Sequence, residues 1–259
     1  MRLSFCTIAF RDEPIETVIP RLAEIGYPAV EVFYPQVENH SERQLIELRK
    51  LADDVGIDIA VLSPYFWLTQ DETLRRRSLG IAERCVAAAR LLGCPRIRTF
   101  TDTGPTGIGS GAAAPAHWDT AVAALQTITA MGRDLRFVVE THARTLADTP
   151  ASTLRLLRRV DAPNLKVLFQ PMFDRDYGAD YEALAEHVEH IHLNNMATAE
   201  GPGWVESGPI DLVAFVVRVI GGGYRHGVSV EYCWRDVPWA RAESAYALLT
   251  AGRGVCAER

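Results

Sequence analysis

Residues 136–171 read RFVVETHARTLADTPASTLRLLRRVDAPNLKVLFQP and contain one complete strand–helix–strand unit. Apolar runs at 136–142 and 165–170 predict two buried β-strands, while residues 149–160 place apolar side chains at helical spacing. Thr149 is a candidate N-cap for that helix. Because strands joined through a helix run parallel, the unit predicts part of a parallel α/β sheet.

The same alternation extends outward along the chain, in eight strand-like runs and eight helical segments. The strand-like runs are residues 2–9, 28–33, 58–66, 96–101, 136–142, 165–170, 188–194 and 227–233. The helical segments are residues 13–26, 41–56, 71–93, 114–132, 149–160, 180–187, 210–221 and 238–252. Such units most simply close into a (β/α)8 TIM barrel, an α/β fold, as a single domain over residues 1–259. An open doubly wound sheet is the alternative, but neither GxGxxG nor a P-loop follows the first strand.

Residues at the ends of the helical segments support these boundaries. Ser41 and Gln44 form a candidate capping box, and Asp71 is a further candidate N-cap. Three of the helical segments have a glycine as their last residue, at the position where a left-handed residue often ends a helix. They are Gly26, Gly56 and Gly93.

Composition and charge argue against several classes of function. A net charge of −6 and a pI near 5.7 provide no basic surface for nucleic acid. The five cysteines form no CxxC pair, so neither a disulfide framework nor a thiolate zinc site is indicated. The sequence shows neither a secretion signal nor an apolar run long enough to span a membrane. We expect a cytoplasmic protein that binds a small molecule, with no nucleic acid or membrane partner.

Potential ligand side chains lie at or near the downstream ends of four predicted strands. They are Glu140, His142, Gln170, His192 and Glu231. Alternation along the strands predicts that Glu140, His192 and Glu231 face the barrel lumen. Two carboxylates buried in one lumen need a cation, because an unpaired buried charge is costly. Oxygen ligands with one imidazole suit Mn²⁺, Mg²⁺, Co²⁺ or Zn²⁺ and do not choose among them.

Structural roles are the alternative for each of these residues taken alone. For Glu140 that role is an ion pair with Arg98 or Arg144. His190 and His226 are further candidates, but a single histidine at a strand end is more often a core or surface residue. The joint pattern therefore carries more weight than any one of its members.

Four stretches of the chain are similar to the sugar phosphate isomerase/epimerase family, the xylose isomerase-like barrels. They are GYPAVEVF at 26–33, VVETHARTLADTPAS at 138–152, HIHLNN at 190–195, and GPIDLVAFVVRVIGGGYRHGVSVEY at 208–232. The resemblance runs through nearly the whole chain. Each motif is loose, but their order and spacing together are specific.

The resemblance implies a divalent metal site at the ends of strands five to eight. Its ligands here would be Glu140, Gln170, His192 and Glu231. Gln170 departs from the family, which usually has aspartate at this position. An amide oxygen can bind a metal, but the change removes a negative charge and is expected to weaken binding.

The resemblance also implies the reaction, which is isomerisation or epimerisation of a keto-sugar or related hydroxycarbonyl compound through an enediolate. Glu140 and Glu231 would share the proton transfer, one removing the proton and the other returning it. His142, Arg98 and Asn194 would orient oxygens of the substrate.

Two other kinds of function are kept as alternatives. One is another enzyme of the same superfamily, such as a lyase of the dehydratase type or the related apurinic endonuclease. The acidic charge argues against the nuclease. The other is a barrel that binds a sugar or polyol without turning it over, which the departure at Gln170 favours.

Two further features flank the predicted mouth. The glycine-rich loop TDTGPTGIGSGAAAP at 101–115 is interpreted either as a segment that closes over substrate or as a flexible connector. Aromatic residues after strand ends are candidates for a pocket wall or, for several of them, a homodimer surface. They are Phe33, Tyr34, Tyr65, Phe66, Trp67, Phe173, Trp204 and Trp234.

Overall fold

Eight parallel strands close into a barrel in the order in which they occur along the chain. A computed structural model of the protein describes residues 1–103, 106–195, 203–233 and 236–251. The first and last strands pair in parallel through Arg2 with Gly227 and Phe5 with Val230, which closes the sheet. The predicted (β/α)8 TIM barrel is therefore confirmed, and the open doubly wound sheet is excluded. That the domain spans residues 1–259 stays a prediction.

The order of strands and helices agrees with the sequence prediction. The strands are β1 Arg2–Cys6, β2 Ala29–Phe33, β3 Asp58–Ser63, β4 Arg96–Thr99, β5 Arg136–Glu140, β6 Leu165–Phe169, β7 Val188–Leu193 and β8 Gly227–Val230. The helices are α1 Ile15–Ile25, α2 Glu42–Asp54, α3 Glu72–Leu92, α4 Pro115–Met131, α5 Pro150–Val160, α6 Tyr177–Leu184, α7 Leu212–Gly221 and α8 Pro238–Ala251. Most predicted strands extend too far downstream, because the apolar runs continue past the last paired residues into the mouth of the barrel.

The predicted helix caps are confirmed. Ser41 and Gln44 form a capping box, and the Asp71 and Thr149 side chains accept from backbone N–H groups of the first turn. Helix α6 is the exception, since it begins earlier than predicted. The Asp176 side chain accepts from Ala179 N at 3.0 Å and starts the helix there. The three glycines after helical segments have left-handed φ angles, 114° at Gly26, 72° at Gly56 and 64° at Gly93.

Alternate residues of each strand face the lumen and the helix layer, as predicted. Ile191 and Leu193 of β7 are part of the hydrophobic core between barrel and helices. His190 and His192, on the other face of the same strand, are fully buried inside the barrel. In the described part of the chain, no helix has the length and apolar character needed to cross a membrane. Location in the cytoplasm stays a prediction.

Candidate active site

The four predicted metal ligands converge in one layer at the mouth of the barrel. Glu140 is the last residue of β5, His192 lies in β7, and Glu231 directly follows β8. His192 Nδ1 lies 3.6 Å from Glu140 Oε1 and 3.5 Å from Glu231 Oε2. One end of the Gln170 amide lies 3.2 Å from each of these two oxygens. Four side chains from four strands therefore meet around one point.

Backbone contacts explain why residues beyond the strand ends still point into this layer. The Glu231 N–H donates to Leu193 O at 3.1 Å, which continues the pairing of β8 with β7 by one residue. The Thr141 hydroxyl accepts from Gln170 N at 2.8 Å and donates to Gln170 O at 3.2 Å. Both Glu231 and Gln170 are thus fixed at the backbone before their side chains make any contact.

The spacing of the converging atoms fits a divalent cation. A tetrahedral ion with ligands at about 2.0–2.2 Å keeps neighbouring ligand atoms about 3.3–3.6 Å apart. The observed separations are 3.2 Å at Gln170 and 3.5–3.6 Å at His192. His192 Nδ1 is buried and has no hydrogen-bond partner among the described residues. When the nitrogen of the Gln170 amide faces the two glutamates, it donates a hydrogen bond to both. When the amide oxygen faces them instead, oxygens of Gln170, Glu140 and Glu231 lie together as three acceptors, as ligands do around a cation.

Arg98 of β4 contacts the two glutamates on their other oxygens. Its Nη1 donates to Glu140 Oε2 at 3.2 Å and to Glu231 Oε1 at 3.3 Å. The guanidinium is 1% exposed and lies 5.0 Å from the ring of Tyr65 and 4.8 Å from that of Phe100. The predicted ion pair of Glu140 with Arg98 is therefore present, and Arg98 does not occupy the oxygens that face His192, which are Glu140 Oε1 and Glu231 Oε2. A contact of Arg98 with substrate stays a prediction.

Glu31 of β2 is a buried carboxylate that the sequence-based reasoning missed. Both of its oxygens lie within hydrogen-bond distance of His192 Nε2, at 3.0 and 2.9 Å, and Oε1 also accepts from Ser63. The available signal was a charged residue inside the apolar run GYPAVEVF, where a buried charge needs a partner.

The charges of this layer explain its shifted pKa values. Burial by itself lowers the pKa of His192, but the carboxylates of Glu31, Glu231 and Glu140 raise it well above the usual value. Burial raises the pKa of Glu231, but His192 and Arg98 outweigh burial and lower it to about 2. Glu31, Glu140 and Glu231 carry three negative charges and Arg98 carries one positive charge. A divalent cation would balance the remaining two charges, in competition with a proton on His192.

The other two histidine candidates do not join this layer. His190 Nε2 lies 2.7 Å from Ser229 Oγ, and burial lowers the pKa of His190, so it is a neutral core residue. His226 directly precedes β8 at the opposite end of the barrel. It lines a cavity of about 370 Å³ there with Arg2 and Arg96. The structural interpretation holds for both residues.

The predicted substrate contacts lie at the rim. Asn194 Nδ2 donates to Glu231 Oε2 at 2.8 Å, so it holds a glutamate of the site. The rings of His142 and Phe100 are nearly perpendicular, with centroids 5.7 Å apart, and His142 Nδ1 lies 2.8 Å from Ala143 O. Contacts of either residue with substrate stay predictions.

The aromatic wall is present in part. Tyr65 meets Phe33 at 5.8 Å and Phe100 at 6.0 Å between ring centroids, directly over Arg98. Phe173 is 49% exposed. Trp234, like Gly104 and Pro105 of the glycine-rich loop, lies outside the described residues. The homodimer surface and both interpretations of the loop stay predictions.

Comparisons with known proteins agree with the fold. A family model described as a xylose isomerase-like TIM barrel matches residues 19–251. A 3-dehydroshikimate dehydratase of Bacillus anthracis is 28% identical over 215 residues, which cover 77% of this chain and 74% of the relative.

Two solved structures are similar over nearly their full length. The probable 3-DHS dehydratase AsbF of Bacillus anthracis has a TM-score of 0.82 at 21% identity, with 98% of this chain and 100% of that chain covered. D-Psicose 3-epimerase of Clostridium cellulolyticum H10 has a TM-score of 0.78 at 16% identity, with 98% of each chain covered. Identities this low show the fold alone.

Proposed function

The chain belongs to the xylose isomerase-like TIM barrel family, and from that premise we propose that it is a divalent-metal-dependent enzyme acting on a small hydroxycarbonyl compound. Its first step is removal of a proton from the carbon beside the carbonyl group. The convergence of Glu140, Gln170, His192 and Glu231 around one point carries this proposal. When bound, the metal supplies positive charge beside the substrate carbonyl oxygen.

Glu231 is the proposed base. It is 7% exposed and lies beyond the end of β8, whereas Glu140 is 1% exposed inside β5. Glu231 therefore lies closer to the side from which substrate enters. Arg98 and Asn194 hold its two oxygens, which fixes the direction in which the carboxylate accepts a proton. Glu140 is the proposed partner that delivers a proton to carbon after taking one up from solvent, while Glu231 releases its own proton to solvent. His142 is proposed to orient a substrate oxygen.

Isomerisation or epimerisation and dehydration begin with the same proton removal. In an isomerase or epimerase the proton returns to carbon, whereas in a dehydratase a neighbouring hydroxyl group leaves as water. The sugar isomerase or epimerase activity follows from the family resemblance. Dehydration is the second candidate, because a relative named as a dehydratase matches 77% of the chain.

A substrate panel separates these two outcomes. The metal-loaded protein would be incubated in deuterated buffer with keto-sugars, their phosphates and 3-dehydroshikimate. Deuterium gained in recovered sugar or its epimer supports isomerase or epimerase chemistry, while loss of the mass of one water supports dehydration. If no compound in the panel shows either change under saturating Mn²⁺, that result would favour a barrel that binds its ligand without turnover.

Added Mn²⁺ or Co²⁺ is expected to stabilise the chelator-treated protein. At a metal concentration about 100 times Kd, binding to the folded state alone adds about 2.7 kcal/mol. For a domain of this size that corresponds to a rise in Tm of about 5–10 °C. Differential scanning fluorimetry and metal analysis of the purified protein measure this. The absence of a stoichiometric ion, together with an unchanged Tm, would contradict the metal-dependent enzyme.

Gln170→Glu is expected to have opposite effects on the metal-free and metal-bound protein. Without metal, a new carboxylate about as close to Glu140 and Glu231 as the 3.2 Å amide contact lowers the free energy of unfolding by about 1–3 kcal/mol. With metal, the added negative ligand tightens binding by about tenfold or more. Calorimetric titration with Mn²⁺ and urea unfolding in chelator measure the two effects.

Gln126→Glu is the matched control for this change, because Gln126 is exposed on α4 and remote from the lumen. It should leave the Mn²⁺ affinity unchanged and alter the free energy of unfolding by only about 1 kcal/mol or less, because the amide donates a single hydrogen bond, to Val160 O at 3.3 Å. Equal Mn²⁺ affinity of wild type and Gln170→Glu would remove position 170 from the ligand set.

A further inference from the structure

We propose that Glu31 is a positioning residue that holds the imidazole of His192 with its Nε2–H turned to β2 and its Nδ1 turned to the metal. The inference rests on the proposed function and deepens it. It assigns a role to a residue outside the four ligands that the family resemblance implies.

The two nitrogens of His192 face different carboxylates. Nε2 lies 3.0 Å from Glu31 Oε1 and 2.9 Å from Oε2, so one N–H is shared between both oxygens. Nδ1 lies 3.6 Å from Glu140 and 3.5 Å from Glu231, beyond normal hydrogen-bond distance. A proton kept on Nε2 leaves the lone pair of Nδ1 directed at the point where the other ligands meet. A carboxylate behind a metal-bound histidine also raises the ligand's basicity.

The fold fixes Glu31 itself. The pairing of β2 with β3 passes from Val30–Ile59 to Glu31–Val61, so β3 carries one extra residue, Ala60, an irregularity that changes which side chains of β3 face Glu31. The Ser63 hydroxyl, from the end of β3, donates to Glu31 Oε1. Glu31 is fully buried, so water does not compete for its oxygens. His192 therefore meets an acceptor that is already oriented.

A second metal site is the competing explanation, since Glu31, His190 and His192 also lie close enough to share an ion. The contacts favour the positioning role. His190 Nε2 lies 2.7 Å from Ser229 Oγ but 3.5 Å from Glu31 Oε2, so its hydrogen bond is with the serine and not with Glu31. A metal bound by His192 through both nitrogens would also need the imidazole to lose both protons. The two explanations differ in the number of ions bound.

The decisive variant is Glu31→Gln, which keeps the shape and an acceptor oxygen but removes the charge. Ser4→Ala is the matched control, because Ser4 is equally buried in the lumen and bonds Ser229 at 2.7 Å without reaching His192. Binding of Mn²⁺ would be followed by the electron paramagnetic resonance signal of the free ion. Glu31→Gln should weaken binding by about 10–100-fold, and Ser4→Ala should leave it unchanged. Unchanged affinity in Glu31→Gln, or a second tightly bound ion in wild type, would overturn the proposal.

A measurement without metal separates this proposal from the proposed function. In chelator-treated protein, the Nε2 proton of His192 should give an exchange-protected, downfield NMR signal, assigned by its loss in His192→Gln. In Glu31→Gln this signal should move upfield, because a neutral acceptor replaces a charged one. A signal that does not move would overturn the positioning role even if metal binds. A signal that moves in a protein that binds no Mn²⁺ would support the positioning role and contradict the metal-dependent enzyme.

Ser63→Ala provides a second route if Glu31→Gln does not fold. It removes the hydroxyl that holds Glu31 and leaves both charges in place. It should shift the His192 signal in the same direction by a smaller amount and weaken Mn²⁺ binding several-fold. If the His192 signal and the Mn²⁺ affinity of Ser63→Ala both equal those of wild type, that result would count against the proposal.

Discussion

Glu231→Gln is expected to abolish exchange of the substrate α-proton with deuterated solvent while the barrel stays folded. The amide has the shape of the carboxylate but cannot accept a proton at neutral pH, so the rate of proton exchange should fall by about 10²–10⁴-fold or more. Arg98 and Asn194 hold the two oxygens of Glu231, but in the proposed reaction neither contact can replace the lost base. Mass spectrometry of substrate recovered from deuterated buffer measures the rate.

Glu189→Gln is the control for the same chemical change on a neighbouring strand. Glu189 lies in β7, and its carboxylate is 3.5 Å from Arg136 on the outside of the barrel. Glu189→Gln should exchange the substrate α-proton at the wild-type rate. If Glu231→Gln exchanges normally while it binds metal and substrate, Glu231 has no part in the proton transfer.

Arg98→Met is expected to cause the largest loss of stability among single substitutions in the site. The variant keeps an apolar stem under Tyr65 and Phe100 but leaves two buried carboxylates without their shared cation. Removing one partner of a buried ion pair typically costs about 3–5 kcal/mol. Arg98→Lys should recover only part of this loss, because one ammonium group does not reproduce the planar guanidinium between the two glutamates.

Urea unfolding in chelator measures this loss, with Arg136→Met as the control. The Arg136 side chain is 50% exposed and its ion pair is on the surface, so its loss should change stability by less than about 1 kcal/mol. Saturating Mn²⁺ should restore part of the stability of Arg98→Met, since a metal would neutralise the same carboxylates from the His192 side. Equal stability of Arg98→Met and wild type would show that the two glutamates do not depend on Arg98.

Most of the fold could be predicted from sequence because its signals are local. The capping box at Ser41 and the left-handed Gly26 and Gly93 each depend on residues within one turn of chain. Strand ends were less predictable, since an apolar run does not show where pairing with the neighbouring strand stops. Residues 64–66 continue the run of β3 but lie outside the paired strand.

The candidate site was predictable for residues that alternation along their own strand turns toward the barrel lumen. Glu140, His192 and Glu231 are of this kind. Glu31 obeys the same rule, yet nothing near it in sequence indicates a partner, because His192 is 161 positions away. The placement of Gln170 depends on the Thr141 hydroxyl of the adjacent strand, which no pattern within LKVLFQP reveals.

The sequence by itself determined the eight alternating units and the side of each strand that its polar residues occupy, because burial along one strand or helix follows a local period. Only the tertiary structure decided which charges meet. Closing the barrel brings Arg98 between Glu140 and Glu231, which are 42 and 133 positions away, and it brings Glu31 beside His192, which is 161 positions away. These contacts depend on register and closure of the whole sheet, which no single segment encodes.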